Sequence, residues 1–335
     1  MRTQITFSQA IEGYLLDARA RQLSPRTIQD YTNSFDHFRR WLDGADPQIQ
    51  SITRDEIRRF LDWLASTRAP HNGIADRRPQ KLSPKSILNI HTALSALWTW
   101  ATSEGYADSH IVRAVEVQRP EPPAVEPFSR DEIKTLLSAC RYTEPYSRPG
   151  KAECRNERTT AERDRALILL LLDTGARNGE LCYSPRIDKP GLLNRHIKRR
   201  SSAVKVVGKG TKERIVHISH PTMKALWEYQ LTKEDAQPSD HLFLSSRGYQ
   251  RPLTTDACYH LIARLGERCG IEECYPHRFR HTFAINFLRN GGKTLELQQM
   301  LGHTSLAMVK RYVRLAQVDL EEAHKRASPV ANWRL

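Results

Sequence analysis

Long apolar runs, paired cysteines and nucleotide-binding loops are all missing from this 335-residue chain. The best apolar run, Ala166 to Leu172, falls far short of the roughly 20 residues that a bilayer-spanning helix needs. Met1 to Thr6 lacks the apolar stretch of a secretory signal, so neither export nor a membrane partner is expected. The six cysteines are scattered, with no C-x-x-C pair, which excludes a disulfide framework and reads as a reduced, cytoplasmic protein. No G-x-x-x-x-G-K-[ST] loop is present, so a P-loop nucleotide is not part of the expected chemistry.

Acidic residues are also short of the basic ones: 38 Asp and Glu against 52 Lys and Arg, a net charge of +14. A surplus of this size favours a polyanionic partner, above all nucleic acid. It is uneven, with +3 over residues 1–120 and +11 over residues 121–335. The densest piece, Arg195 to Arg214, holds eight Lys or Arg and one Glu. Arg195, Lys198, Arg199, Arg200, Lys205 and Lys212 are its candidate phosphate contacts, against the plainer reading of a solvated basic face.

The first part of the chain reads as helical. One helix covers Phe7 to Ala18. A second starts at Ser24-Pro25, with Ser24 as N-cap, and places Ile28, Tyr31, Phe35, Phe38 and Leu42 on one face. A third starts at the capping box Thr53-Arg54-Asp55-Glu56, and a fourth at Ser83-Pro84. Four amphipathic helices make a small bundle, with a polar loop over 67–80. Arg119 to Pro127 holds four prolines in nine residues, cannot be helical, and marks a linker. A capping box at Ser129 to Glu132 restarts helix, and 142–160 reads as a polar surface insertion. Arg163 to Asp173 reads as a buried helix ended by Gly175. Ala203–Val207 and Ile215–Ile218 read as a β-hairpin with a basic, glycine-bearing tip. Helix is expected again to near the end. The fold class is therefore mainly α with a small β-sheet.

Chemistry concentrates in four places. In Tyr275-Pro276-His277-Arg278-Phe279-Arg280-His281, Pro276 suits a first helical turn, so His277, Arg280 and His281 share one face. Three such side chains repel one another unless an anion sits opposite, and a phosphate suits a guanidinium. The spelling Cys269, Cys274, His277, His281 offers zinc as a competing reading, but the two arginines between the histidines oppose a cation. In Thr174-Gly175-Ala176-Arg177-Asn178-Gly179-Glu180, glycines flank Arg177, suggesting a tight turn that presents it to a ligand, with Glu180 either orienting it or supporting the helix. Gly208 to Arg214 is the hairpin tip. Leu301-Gly302-His303 precedes a helix from about Leu306, on which Tyr312 stands amid Lys310, Arg311 and Arg314. Those neighbours favour a charged setting for Tyr312 over an oily one.

Together these motifs resemble the tyrosine recombinase family, also called phage-type integrases, and the likeness covers nearly the whole chain. The closest flavour is Xer-like or transposon-type. T-G-A-R matches the family's first arginine at Arg177, and G-K-G-T-K-E-R its lysine at Lys209. H-R-F-R-H matches its histidine and second arginine at His277 and Arg280. L-G-H matches a further histidine at His303, and the nucleophile falls on Tyr312. Asn178 and Phe279 stand where the family usually has smaller or aliphatic residues.

The resemblance implies an N-terminal SAM-like core-binding domain over 1–118, the linker over 119–127, an α+β catalytic domain over 128–313 and a tail over 314–335. The tail is expected to dock on a neighbouring protomer, or else to pack on its own domain. The resemblance also implies a site-specific recombinase that closes as a C-clamp on double-stranded DNA, as a homo-tetramer on two sites. No cofactor or metal is expected. An accessory or directionality protein is a further partner of this class, and the nucleoid is the expected place of action.

The implied reaction is a transesterification in which Tyr312 attacks phosphorus, forming a 3′-phosphotyrosyl link and releasing a 5′-hydroxyl. Arg177 and Arg280 would clamp the non-bridging oxygens and His303 would add a hydrogen bond. Lys209 would protonate the leaving oxygen, and His277 would take the tyrosine proton. Relaxation of supercoils without site choice, as by a type IB topoisomerase, and non-catalytic DNA binding are the rival functions.

Overall fold

A computed structural model describes residues 4–66, 68–69, 80–121, 126–145, 154–208, 212–233, 235–246, 251–302 and 306–316, together with 324, 328 and 330. The chain divides into two compact units, Met1–Pro123 and Ala124–Leu335.

The first unit is built from α1 (Phe7–Ala20), α2 (Pro25–Trp41), α3 (Arg54–Ser66) and α4 (Pro84–Ser103). Each begins where a side chain can satisfy the free N–H groups of a first turn. Ser24 Oγ accepts from Thr27 N at 3.2 Å, and Ser83 Oγ accepts from Ser86 N at 3.1 Å. At Thr53 the box closes both ways, Oγ1 accepting from Glu56 N and Thr53 N donating to Glu56 Oε2. On α2 the predicted stripe is graded: Phe35 and Phe38 are fully buried, while Ile28, Tyr31 and Leu42 are half-buried at its margins. Phe7, Phe60 and Trp98 join Phe38 in one aromatic core. The polar stretch read as a loop over 67–80 is not wholly irregular. Arg68–Ala69 (β1) and Gln80–Lys81 (β2) pair antiparallel at its ends, a two-residue ladder too short to leave an alternation in the sequence; the residues between lie outside the described ones.

In the second unit α5 (Arg130–Arg141) opens with the expected box, Ser129 N donating to Glu132 Oε2 and Glu132 N donating to Ser129 Oγ. The ends of the 142–160 segment are tied together. Thr143 N donates to Asn156 O, Arg158 N donates to Arg141 O, and Arg141 pairs with Glu157 at 2.9 Å. Residues 146–153 lie outside the described ones. The apolar run Ala166 to Leu172 belongs to α6 (Ala161–Thr174), which is buried on almost every side because α5, α8 (His220–Leu231) and α10 (Pro276–Arg289) all pack on it. Gly175 ends α6 in a left-handed conformation, φ 57°. Arg177 then caps the short α7 (Asn178–Leu181).

The sheet has three antiparallel strands rather than the two of a hairpin: β3 (Ile197–Lys198), β4 (Ala203–Val207) and β5 (Glu213–His217). β3 is only two residues long and lies within the basic run, so it carries no period to read. β5 begins two residues earlier than expected, because Glu213 pairs with Val207, and Gly208 N then donates to Lys212 O to close the strand ends. Continuous helix after the hairpin is also not found. Residues 235–246 and 251–254 form turns and short bridges, Leu244 pairing with Pro252 and Tyr183 with Thr254, before α9 (Thr255–Arg268). The unusual Phe279 is accommodated against Phe128, ring centres 4.6 Å apart, and Asn178 Nδ2 donates to Thr255 O.

α11 (Thr294–Leu301) and α12 (Ala307–Ala316) complete the unit. α12 runs without a break through 313, and Leu315 and Ala316 pack with α10 and α11. Of the segment read as a tail, 317–323 and most later residues lie outside the described ones.

Candidate active site

Two turns and two helices of the second unit converge on the predicted side chains. The left-handed turn at Gly175 swings the chain from α6 into α7 and leaves Arg177 half-buried at the helix start. Its backbone N donates to Glu180 Oε2 at 2.8 Å and its Nη1 donates to Glu180 Oε1 at 3.1 Å. Glu180, read from the sequence as either orienting Arg177 or supporting the helix, is 3% exposed and serves a second guanidinium as well. Arg214 donates through Nη1 to Oε1 at 2.9 Å and through Nη2 to Oε2 at 2.8 Å, a bidentate fork. Burial would raise the Glu180 carboxyl, but the hydrogen bonds and charges of Arg214 and Arg177 hold it below the usual carboxylate range.

Pro276 starts α10, and the helical period then separates the three residues that follow. Arg280 and His281 are buried, while His277 keeps exposed surface. Arg280, 1% exposed, donates through Nη1 to Gly175 O and through Nη2 to Leu301 O, both at 2.8 Å. Its guanidinium is pulled down to about 10 by burial and by the charge of Arg177. Two main-chain carbonyls from separate turns therefore aim Arg280, and Arg177 shares its surroundings.

Tyr312 lies beside Arg280, which hydrogen-bonds its hydroxyl. The charged setting expected from Lys310, Arg311 and Arg314 holds in part: of the three it is Arg311 that bears on Tyr312, and the other charges come from Arg280 and Arg177. Tyr312 is 4% exposed and packs with Ala284, Ile285, Leu288, Leu297, Leu301 and Val309. The helical period turns Lys310 and Arg314 outward and leaves the tyrosine on the apolar face of α12. Burial raises its phenol above the usual range, and the nearby Arg280, Arg311 and Arg177 work against that rise. The ring against Tyr312 is that of His281, centres 5.5 Å apart, and His277 sits 4.9 Å from His281. Both imidazoles are held below the usual histidine range: His277 by packing and by Arg280, Arg177 and Arg311, and His281, down to about 4, by burial, His277, Arg311 and Arg280.

Arg177, Arg280, His277 and Tyr312 are thus brought together, whereas Lys209 and His303 lie outside the described residues. Of the six candidate phosphate contacts, Arg195, Lys198, Arg199, Arg200 and Lys212 are exposed around the three-stranded sheet. Lys205 is half-buried and held by Glu213 at 2.7 Å, and Arg199 donates to Gln230 Oε1. Among the described residues no group of three or more His, Cys, Asp or Glu is placed to hold a metal ion, and burial pushes the Cys274 thiol up to about 11. Arg214 is the residue missed in the sequence. It stands five positions after Lys209 in a basic run, where nothing distinguishes it from its neighbours.

Residues 127–318 match the family model described as Phage integrase family, and residues 11–108 match that described as Phage integrase, N-terminal SAM-like domain. Tyrosine recombinase XerD of Pseudomonas aeruginosa is 27% identical over 312 residues, covering 92% of each chain. Tyrosine recombinase XerA of Thermococcus kodakarensis is 27% identical over 292 residues, covering 85% of this chain and 91% of the relative. Among solved structures, a lambda integrase(75-356) dimer bound to a COC' core site shares the fold at TM-score 0.67 and 17% identity, covering 94% of this chain and 96% of that one. The Tn1549 transposon integrase (aa 82-397) in complex with circular intermediate DNA does so at TM-score 0.67 and 18% identity, covering 94% and 98%.

Proposed function

The chain belongs to the phage integrase family, and on that footing we propose how its residues cut and rejoin DNA as a site-specific tyrosine recombinase. The observation that carries the reading is the meeting of Tyr312 with Arg280, itself anchored on two carbonyls and sharing its surroundings with Arg177.

A phosphodiester entering beside Tyr312 meets two guanidiniums. Arg177 and Arg280 take the non-bridging oxygens, where negative charge grows as the phosphorane forms. The Tyr312 oxygen attacks phosphorus, the 3′-phosphotyrosyl bond forms, and the bond to the 5′-oxygen breaks. Burial keeps the phenol protonated at rest, so a base is needed. His277, neutral at neutral pH, is that base. Lys209 supplies the proton to the leaving 5′-oxygen, and His303 adds a hydrogen bond to the phosphorane; both roles rest on the matched motifs. The phosphotyrosyl ester conserves the energy of the bond broken, so religation to a second strand needs no nucleotide.

The partner is double-stranded DNA, met by Arg195, Lys198, Arg199, Arg200 and Lys212 through phosphates. A lambda integrase tetramer bound to a Holliday junction also shares the fold, at TM-score 0.67 and 18% identity, and the same assembly, four protomers on two sites, is the reading for this chain. In that assembly the 314–335 tail, whose Leu315 and Ala316 pack on their own domain, would dock its remainder on a neighbour, and an accessory protein would bias direction. DNA places the enzyme at the nucleoid in the cytoplasm; among the described residues no helix is long and apolar enough to cross a membrane.

Covalent trapping tests the reading. The protein is incubated, without added metal, with nicked duplexes from the DNA flanking its gene and run on a denaturing gel. A slower species is expected from the wild type and none from Tyr312→Phe, with DNA binding retained by the variant. A covalent species that survives Tyr312→Phe overturns the assignment.

A further inference from the structure

Glu180 poses an electrostatic problem that Arg177 alone does not solve. A carboxylate 3% exposed, beside the guanidinium expected to bind substrate, competes with the phosphate for that guanidinium. Every charge–charge contact that Arg177 makes with Glu180 is one it does not make with DNA.

Arg214 changes that balance. Its side chain is 14% exposed, less than half the 37% of Arg177, and its fork covers both oxygens of Glu180. Glu180 and Arg214 together are neutral, so the charge of Arg177 is left over. The third donor of the same guanidinium, Nε, gives its hydrogen bond to Met300 O at 2.8 Å. The next carbonyl along, Leu301 O, is the one that receives Arg280 Nη2. One side chain on β5 therefore grips the carboxylate behind Arg177 and the end of α11 that supports Arg280. The space around it is tight: a Cβ on Gly302 would lie 3.3 Å from Arg214 Nη1. Lys189 steadies the strand opposite, its Nζ donating to Val207 O at 2.7 Å.

We propose that Arg214 is a positioning residue for the phosphate clamp: it neutralises Glu180 so that Arg177 is free to meet the substrate, and it fixes the carbonyl-bearing turn on which Arg280 rests. The proposal rests on the reading of Arg177 and Arg280 as that clamp. Lysine cannot take the place of Arg214, because a single ammonium lacks the fork needed for two carboxylate oxygens and a carbonyl at once.

The test is the rate of covalent complex formation at saturating nicked duplex, with DNA affinity and melting temperature measured in parallel. Arg214→Gln is expected to slow trapping by about 10- to 100-fold, the usual scale for residues that orient a functional group, with DNA affinity little changed. Arg214→Lys is expected to fall between it and the wild type while melting like the wild type. The discriminating variant is the double change Glu180→Gln with Arg214→Gln. Removing the carboxylate removes the need for its neutraliser, so the double variant is expected to react no more slowly than Arg214→Gln alone. A wild-type rate in Arg214→Lys overturns the proposal, as does a double variant that reacts more slowly than Arg214→Gln alone. Arg177→Lys is run alongside. If it traps at the wild-type rate the clamp reading itself fails; if it does not, a null result at Arg214 counts against this inference alone.

Discussion

His281 shows how a single side chain here connects chemistry to stability. It is 7% exposed, its Nδ1 is buried with no hydrogen-bond partner, and it is flanked by His277, Arg280 and Arg311. Its folded pKa of about 4 lies below the ordinary value of 6.5, so the folded protein binds fewer protons than the unfolded chain between these values. Stability is therefore fully present above about pH 6.5 and declines as pH falls towards 4, by something of order 3 kcal/mol. The depressed His277 acts in the same direction. Thermal melts at stepped pH are expected to show this fall, and His281→Phe, which keeps a ring against Tyr312 but cannot titrate, is expected to flatten it. A melting curve in the variant as pH-dependent as the wild type's would place the effect elsewhere. Arg177, His277, Arg280 and Tyr312 are singled out by the sequence because each stands in a motif with a spacing of its own. Arg214 is not, since its role comes from a contact with Glu180, 34 positions away, and its residue type is common in its own segment.

At the scale of elements, the turn after α6 carries the site. Gly175 has φ 57°, and a Cβ added there would lie 2.6 Å from Phe283 Cδ1 and 2.8 Å from Leu301 Cδ2. Its carbonyl also holds Arg280. Gly175→Ala is therefore expected to cost about 2–4 kcal/mol, from left-handed strain and overpacking together. Chemical denaturation measures that loss, and trapping on nicked duplex is expected to slow beyond what the lost stability explains, because the Arg280 acceptor shifts. The helices of the first unit were legible because each has a cap and a period: Ser24, Thr53 and Ser83 mark starts that the backbone obeys. β1, β2 and β3 were not, since two residues make no alternation. The setting of Tyr312 is legible only in part, its charges but not its apolar packing, for a related reason. Neighbours in sequence are not neighbours on a helix, and the partners that bury it come from α10 and α11.

For the molecule as a whole, charge and chemistry are separable. The net +14 is concentrated in residues 121–335, and Lys198 and Arg200 are exposed beside the sheet. Changing both to Gln is expected to lower the slope of log affinity against log salt by about 2, with little effect on the trapping rate once DNA is saturating. Fluorescence titrations across salt concentrations measure it, and an unchanged slope would remove these two from the phosphate contacts. The hydrogen bond between Arg280 and Tyr312 within one chain has a genetic consequence as well. A protomer lacking Tyr312 and a protomer lacking Arg280 are then expected to make no good site between them, because neither would lend its half to the other. Co-expressing the two inactive forms is expected to yield no recombinant product, and mixing wild type with Tyr312→Phe is expected to leave strand cuts only where a wild-type protomer sits.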